Sequence, residues 1–198
     1  MFSFKGFVTK GRNTHLEHLE DSIIDNGAKG GRDAVNFLKS IKKMLTGHTG
    51  GRLNVTVKWD GAPAVICGVD PSDGEFFVGT KSVFAKTEPK LCKSERDINK
   101  FYSEQPGLAE KLKIALKTLS KIGIGGVLQG DLMFTPGDVE TANIEGQECY
   151  VFTPNTITYA VPVGSELGNR IAAAKIGIIF HTAYEGASLP EMRAKFGA

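Results

Sequence analysis

Leu53-Asn54-Val55-Thr56-Val57-Lys58-Trp59-Asp60-Gly61-Ala62-Pro63-Ala64-Val65-Ile66-Cys67-Gly68 decides the fold class. Leu53 to Trp59 alternates in period two and is rich in β-branched residues, which predicts a strand. Asp60-Gly61 is turn chemistry, and Ala62 to Gly68 predicts a second strand. A third, Glu75 to Thr80, follows through the turn signal Asp70-Pro71-Ser72-Asp73-Gly74. Short strands joined by tight turns point to antiparallel pairing rather than to a doubly wound sheet.

Working outward, the flanks are helical. Upstream, Leu16, Leu19, Ile23 and Ile24 are helically spaced behind the capping-box pair Thr14 and Glu17, and Asn26-Gly27 marks a stop. A second helix is expected from about Asp33 to Leu45. Downstream, Ser94 to Gly123 predicts helix broken at Pro106. Strands are then expected over Gly126 to Phe134, Glu148 to Phe152, Thr156 to Val161 and Ile176 to His181. A short helix is expected over Glu166 to Ala174 and a last one over Leu189 to Phe196. The expected fold is therefore α+β, with largely antiparallel sheets and flanking helices. Residues 1–50 would form a helical segment packed on a core domain of residues 51–198, the two making one compact unit.

Composition narrows the function classes. Lys and Arg number 24 against 22 Asp and Glu, a formal balance of +2, which excludes a wholly basic nucleic-acid binder and leaves room for a local basic pocket. No run of about 18 apolar residues is present, so no membrane-spanning helix is expected. The N-terminus lacks the pattern of a secretory signal. Three widely spaced cysteines, Cys67, Cys92 and Cys149, with no Cys-x-x-Cys pair, argue against a zinc ribbon and fit a reducing cytoplasm. Glycine is in excess, at 24 residues of 198. Gly61, Gly68, Gly74, Gly79 and Gly130 fall at the ends or turns of expected strands, where backbone could approach a ligand.

The chemistry concentrates at Lys58. A lysine closing an apolar strand can have its ammonium pKa depressed by partial burial or by neighbouring cations, which makes the amine a nucleophile. Asp60 could orient that amine or a metal, and Gly61 lets backbone come close to a ligand. The alternative is an ordinary exposed strand lysine beside a plain turn. Trp59, next to the lysine, points to the opposite sheet face and is expected in the core. Asp131 sits inside an apolar strand and needs a partner, whether metal, hydroxyl or cation.

Lys58-Trp59-Asp60-Gly61 between two strands resembles motif I of the covalent nucleotidyltransferases: the ATP-dependent DNA ligases, the RNA ligases and the mRNA capping enzymes. The resemblance implies an ATP-grasp-like ligase adenylation domain. Lys58 would attack the ATP α-phosphate, form a lysyl-AMP intermediate and pass AMP to the 5′-phosphate of DNA or RNA, with Mg²⁺ as cofactor. Gly79-Thr80-Lys81-Ser82 lies where the family carries motif Ia, which would put Lys81 on the ribose or the nucleic-acid end. Leu128-Gln129-Gly130-Asp131-Leu132-Met133-Phe134 is similar to motif III, with Asp131 in place of the usual Glu as ribose or metal ligand. Tyr150-Val151-Phe152 is similar to motif IIIa and would set Phe152 against the base. Thr56, Val57, Trp59 and Gly61 would line the nucleotide, and Lys175 would stand in for a motif V lysine. Two departures are visible. Glu185-Gly186 follows its strand, where motif IV would lead it, and motif V is without its lysine pair. The rival expectations are a catalytically silent nucleotide- or nucleic-acid-binding module and a phage assembly protein. The chain also resembles proteins of myovirus-type tailed phages, for example over Phe152-Thr153-Pro154-Asn155-Thr156-Ile157-Thr158-Tyr159, which implies a host cytoplasm.

Several residues carry a plainer reading beside a sharper one. His15, His18, Glu17 and Asp21 share a helix face and could hold a metal, but a solvated face is the simpler account. Lys111, Lys113, Lys117 and Lys121 could touch a phosphate backbone or be solvated. His181 reads as a satisfied core histidine.

Overall fold

The structure is a computed structural model and describes residues 19–47 and 59–196. It divides into two compact units, Met1–Lys58 and Trp59–Ala198. The expected strand from Leu53, the segment around Thr14, and the residues Thr56, Val57, Lys58, His15, Glu17 and His18 lie outside the described residues.

In the first unit a single element, α1 (Asp21–Leu45), covers most of what reads as two helices. The break survives inside it. Gly27 has φ 54° and ψ −135°, outside the helical region and accessible to glycine at low cost. A Cβ on Gly30 would collide with the Ser22 carbonyl. Residues eight apart are about 12 Å apart along a straight helix, so the chain folds back sharply at Gly27. The glycine pair Gly30-Gly31 continues the helix.

The second unit is mixed α and β, and every sheet pairing in it is antiparallel. A five-stranded sheet has the order β2-β1-β3-β7-β8, formed by β1 (Ala64–Val69), β2 (Phe76–Gly79), β3 (Val127–Phe134), β7 (Gly177–Glu185) and β8 (Arg193–Phe196). A second sheet has the order β4-β5-β6, from Glu140–Ile144, Gln147–Phe152 and Tyr159–Pro162. The helices are α2 (Glu95–Tyr102), α3 (Pro106–Leu119) and α4 (Glu166–Ala173).

Local chemistry accounts for most boundaries. Ser94 caps α2, and Asp97 returns the bond to the Ser94 backbone N–H, a full capping box. Pro106 opens α3, where its missing N–H costs nothing. Two expectations are corrected. The C-terminal segment is a short 3-10 turn, Leu189–Glu191, followed by strand β8, where periodicity suggested helix. Pairing of Arg193 with Glu185 and of Ala194 with Tyr184 makes it an edge strand, and tertiary pairing overrides the local pattern. Strand β4, mostly polar and exposed except at the half-buried Ala142, carries too little apolar pattern to mark a strand and was not expected.

Alternation along β1 separates the cores. Val65 and Cys67 face a cluster that includes Ile98, Leu112, Ala115 and Leu119 from α2 and α3. Ile66, on the other face, joins Phe77, Val127, Tyr184, Leu189 and Met192. A third cluster, Met133, Phe134, Phe152 and Ile171, ties the small sheet and α4 to the end of β3. Cys67 and Cys92 are buried free thiols, and burial pushes both up to about 12, so they behave as small hydrophobes. Among the described residues no helix is long and apolar enough to cross a membrane.

One polar cluster supports the fold at the β1–β2 turn. Asp70 is buried and takes Lys93 Nζ at 2.8 Å, Ser72 N at 2.9 Å and Ser72 Oγ at 2.8 Å. Lys93 also pairs with Asp73. Burial alone would raise the Asp70 carboxyl, but the Lys93 ammonium and the Ser72 donors outweigh it and hold the group below the usual carboxylate value. A group lowered in the folded state contributes stability above its unfolded pKa of about 3.9 and loses it as pH falls through the folded value. Lys93→Met is therefore expected to cost about 2 kcal/mol at pH 7, because Asp70 stays buried without its cation. The deficit should shrink in acid, as Asp70 protonates in the variant before it does in wild type. Urea denaturation of both proteins at pH 7 and pH 3 checks this; an equal deficit at both values would contradict it.

Candidate functional site

The turn that carries Asp60 and Gly61 is clamped from two sides. The Asp60 carboxylate accepts from Asn155 Nδ2 at 3.1 Å on one oxygen and from Thr156 Oγ1 at 2.9 Å on the other. Its backbone N–H donates to Tyr159 Oη at 3.0 Å. Both clamping side chains come from the loop between β5 and β6. The run Asn155-Thr156, read above only as a resemblance, thus holds the motif aspartate.

Gly61 sits against β3. A Cβ there would lie 2.8 Å from Asp131 Cβ, 2.8 Å from the Leu132 carbonyl oxygen and 2.9 Å from Met133 Sδ. The approach is fixed by Ala62 N–H donating to Leu132 O and Leu132 N–H donating to Pro63 O, both at 3.0 Å. Ala64 then pairs with Asp131 in the β1–β3 register. Two expected site residues, Gly61 and Asp131, are thereby in contact, and Asp60 is one residue away. Lys58 lies outside the described residues and is separated from this turn in the chain by Trp59 alone.

Val127, Gln129, Asp131 and Met133 share one face of β3 by alternation. Val127 belongs to one apolar cluster of that face and Met133 to another, so Gln129 and Asp131 form a polar interval between two cores. Strand β7 adds to it. Tyr184 Oη donates to Gln129 Oε1 at 2.6 Å, and burial pushes this phenol up to about 12. Thr182 is 1% exposed. His181 Nε2 lies 3.5 Å from Asp131 Oδ1, and its Nδ1 is 2.8 Å from Thr182 Oγ1. His181 is thus partnered, as expected of a core histidine, but it is only half-buried and belongs to the polar interval. Nothing in the sequence pattern marks it, because its position depends on the register between two strands far apart in the chain.

The aromatic expectations change places. Phe152 is 6% exposed, with Phe134 tilted against it at 4.8 Å and Tyr159 stacked at 5.6 Å. The ring is buried between these neighbours and Met133 and Ile171 of its cluster, so it does not present a surface to a base as expected. Trp59, expected in the core, is instead 38% exposed and packs on Tyr159 at 5.4 Å. The accessible aromatic surface beside Asp60 is therefore that of Trp59, with Tyr159 packed between it and Phe152. Lys81 is exposed on the 3-10 turn Lys81–Phe84 that follows β2. Because Gly79 pairs with Ile66, that turn leaves the sheet at the end where β1 begins, the end that also carries Asp131. The turn is held by mutual hydrogen bonds among Thr80 Oγ1, Ser82 Oγ and Tyr102 Oη at 3.0–3.2 Å. Lys175 is exposed before β7, whose Gly177 pairs with Phe134, three residues beyond Asp131. Of the four lysines of the basic run, Lys111, Lys113 and Lys117 lie on α3 and Lys121 just past it; Lys111 pairs with Asp138 at 3.4 Å and Lys113 with Glu110 at 2.8 Å, so two of the four are engaged within the protein.

Among the described residues no group of three or more His, Cys, Asp or Glu side chains is placed to hold a metal ion. Asp131 as an expected metal ligand thus has His181 as its neighbour and would rely on a bound ligand or water for the rest of the shell.

These features define a mixed α and β domain whose main antiparallel sheet carries a polar interval beside a clamped Asp-Gly turn. Residues 13–198 match the model of a family of unknown function (DUF6267), and the chain belongs to that family. No curated protein and no solved structure matches it.

Proposed function

We propose that the protein is a nucleotidyltransferase of the kind its Lys58-Trp59-Asp60-Gly61 motif resembles, using Lys58 as nucleophile toward ATP. The observation that carries the reading is the contact of Gly61 with Asp131. It joins the motif turn to the acid of the motif III-like strand, two segments seventy residues apart that such chemistry needs together. The Lys58 amine would lose a proton and form a P–N bond to the α-phosphorus as the bond to the β-phosphate oxygen breaks and pyrophosphate leaves. Asp60, fixed by Asn155 and Thr156, would position the loop next to the amine. Trp59 would take the base-stacking part expected of Phe152, backed by Tyr159, and Lys81 would hold the nucleotide or the substrate end. A divalent ion on one carboxylate and the substrate phosphates fits Mg²⁺, with Asp131 as that carboxylate, and would supply charge neutralisation. A 5′-phosphorylated DNA or RNA end is the proposed acceptor, in a reducing cytoplasm where the three cysteines stay thiols.

The test is incubation with α-labelled ATP, Mg²⁺ and pyrophosphatase, followed by denaturing electrophoresis. Label is expected on the wild-type chain and is expected to vanish in Lys58→Ala. No label on wild type, or label that persists in the variant, overturns the nucleophile. Reversible ATP binding with no adduct would support the silent binding module instead.

A further inference from the structure

Strand β7 carries one residue more than β3 at the polar interval. Gln129 pairs with Thr182 and the next residue, Gly130, pairs with Phe180, which leaves His181 as the extra residue of a β-bulge. Regular alternation would point His181 away from the face of Thr182. A bulge re-aims the side chain at its tip, and here the imidazole comes to the face that carries Asp131.

The distances within the pair are unlike those of a hydrogen bond. His181 Nε2 and Asp131 Oδ1 are 3.5 Å apart, beyond the roughly 2.7–3.2 Å of an N–H···O bond. Two ligand atoms, each about 2.1 Å from one tetrahedrally surrounded ion, would be about 3.4 Å apart. The other ring nitrogen is tied down, with Nδ1 2.8 Å from the hydroxyl of the fully buried Thr182. When Nδ1–H donates to that hydroxyl, the Nε2 lone pair faces the Asp131 carboxylate. Two electron-rich atoms then point at one small space, and a cation placed there satisfies both. Metal-bound histidines are oriented in this way by a partner on the far nitrogen. The side chains are 32% and 18% exposed, so water and ions reach them.

We propose that His181 Nε2 and Asp131 Oδ1 together bind a divalent first-row transition-metal ion, of the Mn²⁺, Co²⁺ and Zn²⁺ class, in preference to Mg²⁺. The imidazole is the reason for the preference, since Mg²⁺ takes oxygen ligands and keeps its waters, whereas the transition ions accept nitrogen. Among the described residues no third His, Cys, Asp or Glu joins the pair, so water or a ligand oxygen completes the shell. The inference concerns the protein without nucleotide, where the imidazole is the second ligand; with nucleotide bound the phosphate oxygens supply the oxygen shell that suits Mg²⁺ on the same Asp131, so the inference does not rest on nucleotide chemistry.

The probe is Mn²⁺ alone, added to the full chain without nucleotide and followed by loss of the free-ion paramagnetic resonance signal. Wild type is expected to remove about one equivalent, with little displacement by an equal concentration of Mg²⁺. His181→Gln and Asp131→Asn should each weaken binding at least about tenfold, and Thr182→Val, which leaves both ligands in place, about tenfold. Circular dichroism melting identifies variants that remain folded, and the glutamine and asparagine replacements keep side-chain volume for that purpose. Binding that is unchanged in folded His181→Gln overturns the site, as does a wild-type protein that leaves the signal intact at millimolar Mn²⁺. Binding that is lost in the variants while no lysyl adduct forms with ATP would keep the metal site and remove the nucleotidyl-transfer reading.

Discussion

Gly68→Ala is expected to be the most damaging single-methyl change within the strands of the main sheet, at about 4 kcal/mol. Gly68 closes β1 with φ 153°, a conformation L side chains rarely adopt. An alanine Cβ would stand 2.0 Å from the Gly126 carbonyl oxygen and 2.7 Å from Val127 Cα. Both obstacles are backbone, so no rotamer change relieves the collision. Strained φ/ψ costs about 1–3 kcal/mol and overpacking about the same again. Gly68 also pairs with Phe77 on one side and Val127 on the other, so a shift opens the centre of the main sheet. Gly74→Ala is the control. Its φ is +77°, but a Cβ meets nothing within 4 Å, so only the conformational cost of about 1 kcal/mol applies. Equal urea midpoints for the two variants would show that the β1–β3 approach is looser than described.

Gly61→Ala is expected to strike stability and site together. Its Cβ would press on Asp131 Cβ, the Leu132 carbonyl and Met133 Sδ, all within 2.9 Å. Met133 can move, but the carbonyl and the strand Cβ cannot. The turn must lift from β3, at the expense of the two hydrogen bonds between Ala62-Pro63 and Leu132. The expected loss is about 2–3 kcal/mol. Because lifting also separates Asp60 from Asp131, adduct formation with ATP should fall well beyond what the folded fraction explains. Gly107→Ala, in the first turn of α3 with open space around it, is expected to be neutral or stabilising by up to about 1 kcal/mol. Chemical denaturation gives the folded fraction, and labelling per folded molecule separates the two effects; undiminished labelling in folded Gly61→Ala would mean that the contact is not part of the chemistry.

What could be read in advance follows from the range of the interactions. The ends of α2 and α3 depend on Ser94, Asp97 and Pro106, all local, and the expected break falls where Pro106 starts the second helix. Strands β1, β2, β3 and β7 carry strong apolar patterning and are found close to the expected places. Strand β4 buries none of its residues fully, so pairing with β5 rather than burial defines it. The final segment joins the sheet as an edge because β7 offers it a partner. The candidate site divides along the same line. Asp60, Gly61 and Asp131 are conspicuous through turn chemistry and through a charge in an apolar strand. The clamp from Asn155 and Thr156 acts across almost a hundred residues, and the bulge at His181 is a property of two strands in register. Phe152 and Trp59 exchange roles for a similar reason: the small sheet packs Phe134 and Tyr159 onto Phe152, a contact no single strand pattern specifies.

The Trp59–Tyr159 packing makes the protein its own optical gauge. Trp59 is the sole tryptophan of the chain, so all indole emission comes from one ring. That ring is partly open to solvent, lies on a tyrosine and is covalently next to both Lys58 and the clamped Asp60. A change in its emission on adding nucleotide, or on unfastening the clamp with Thr156→Val, reports the state of the turn directly and without any introduced dye.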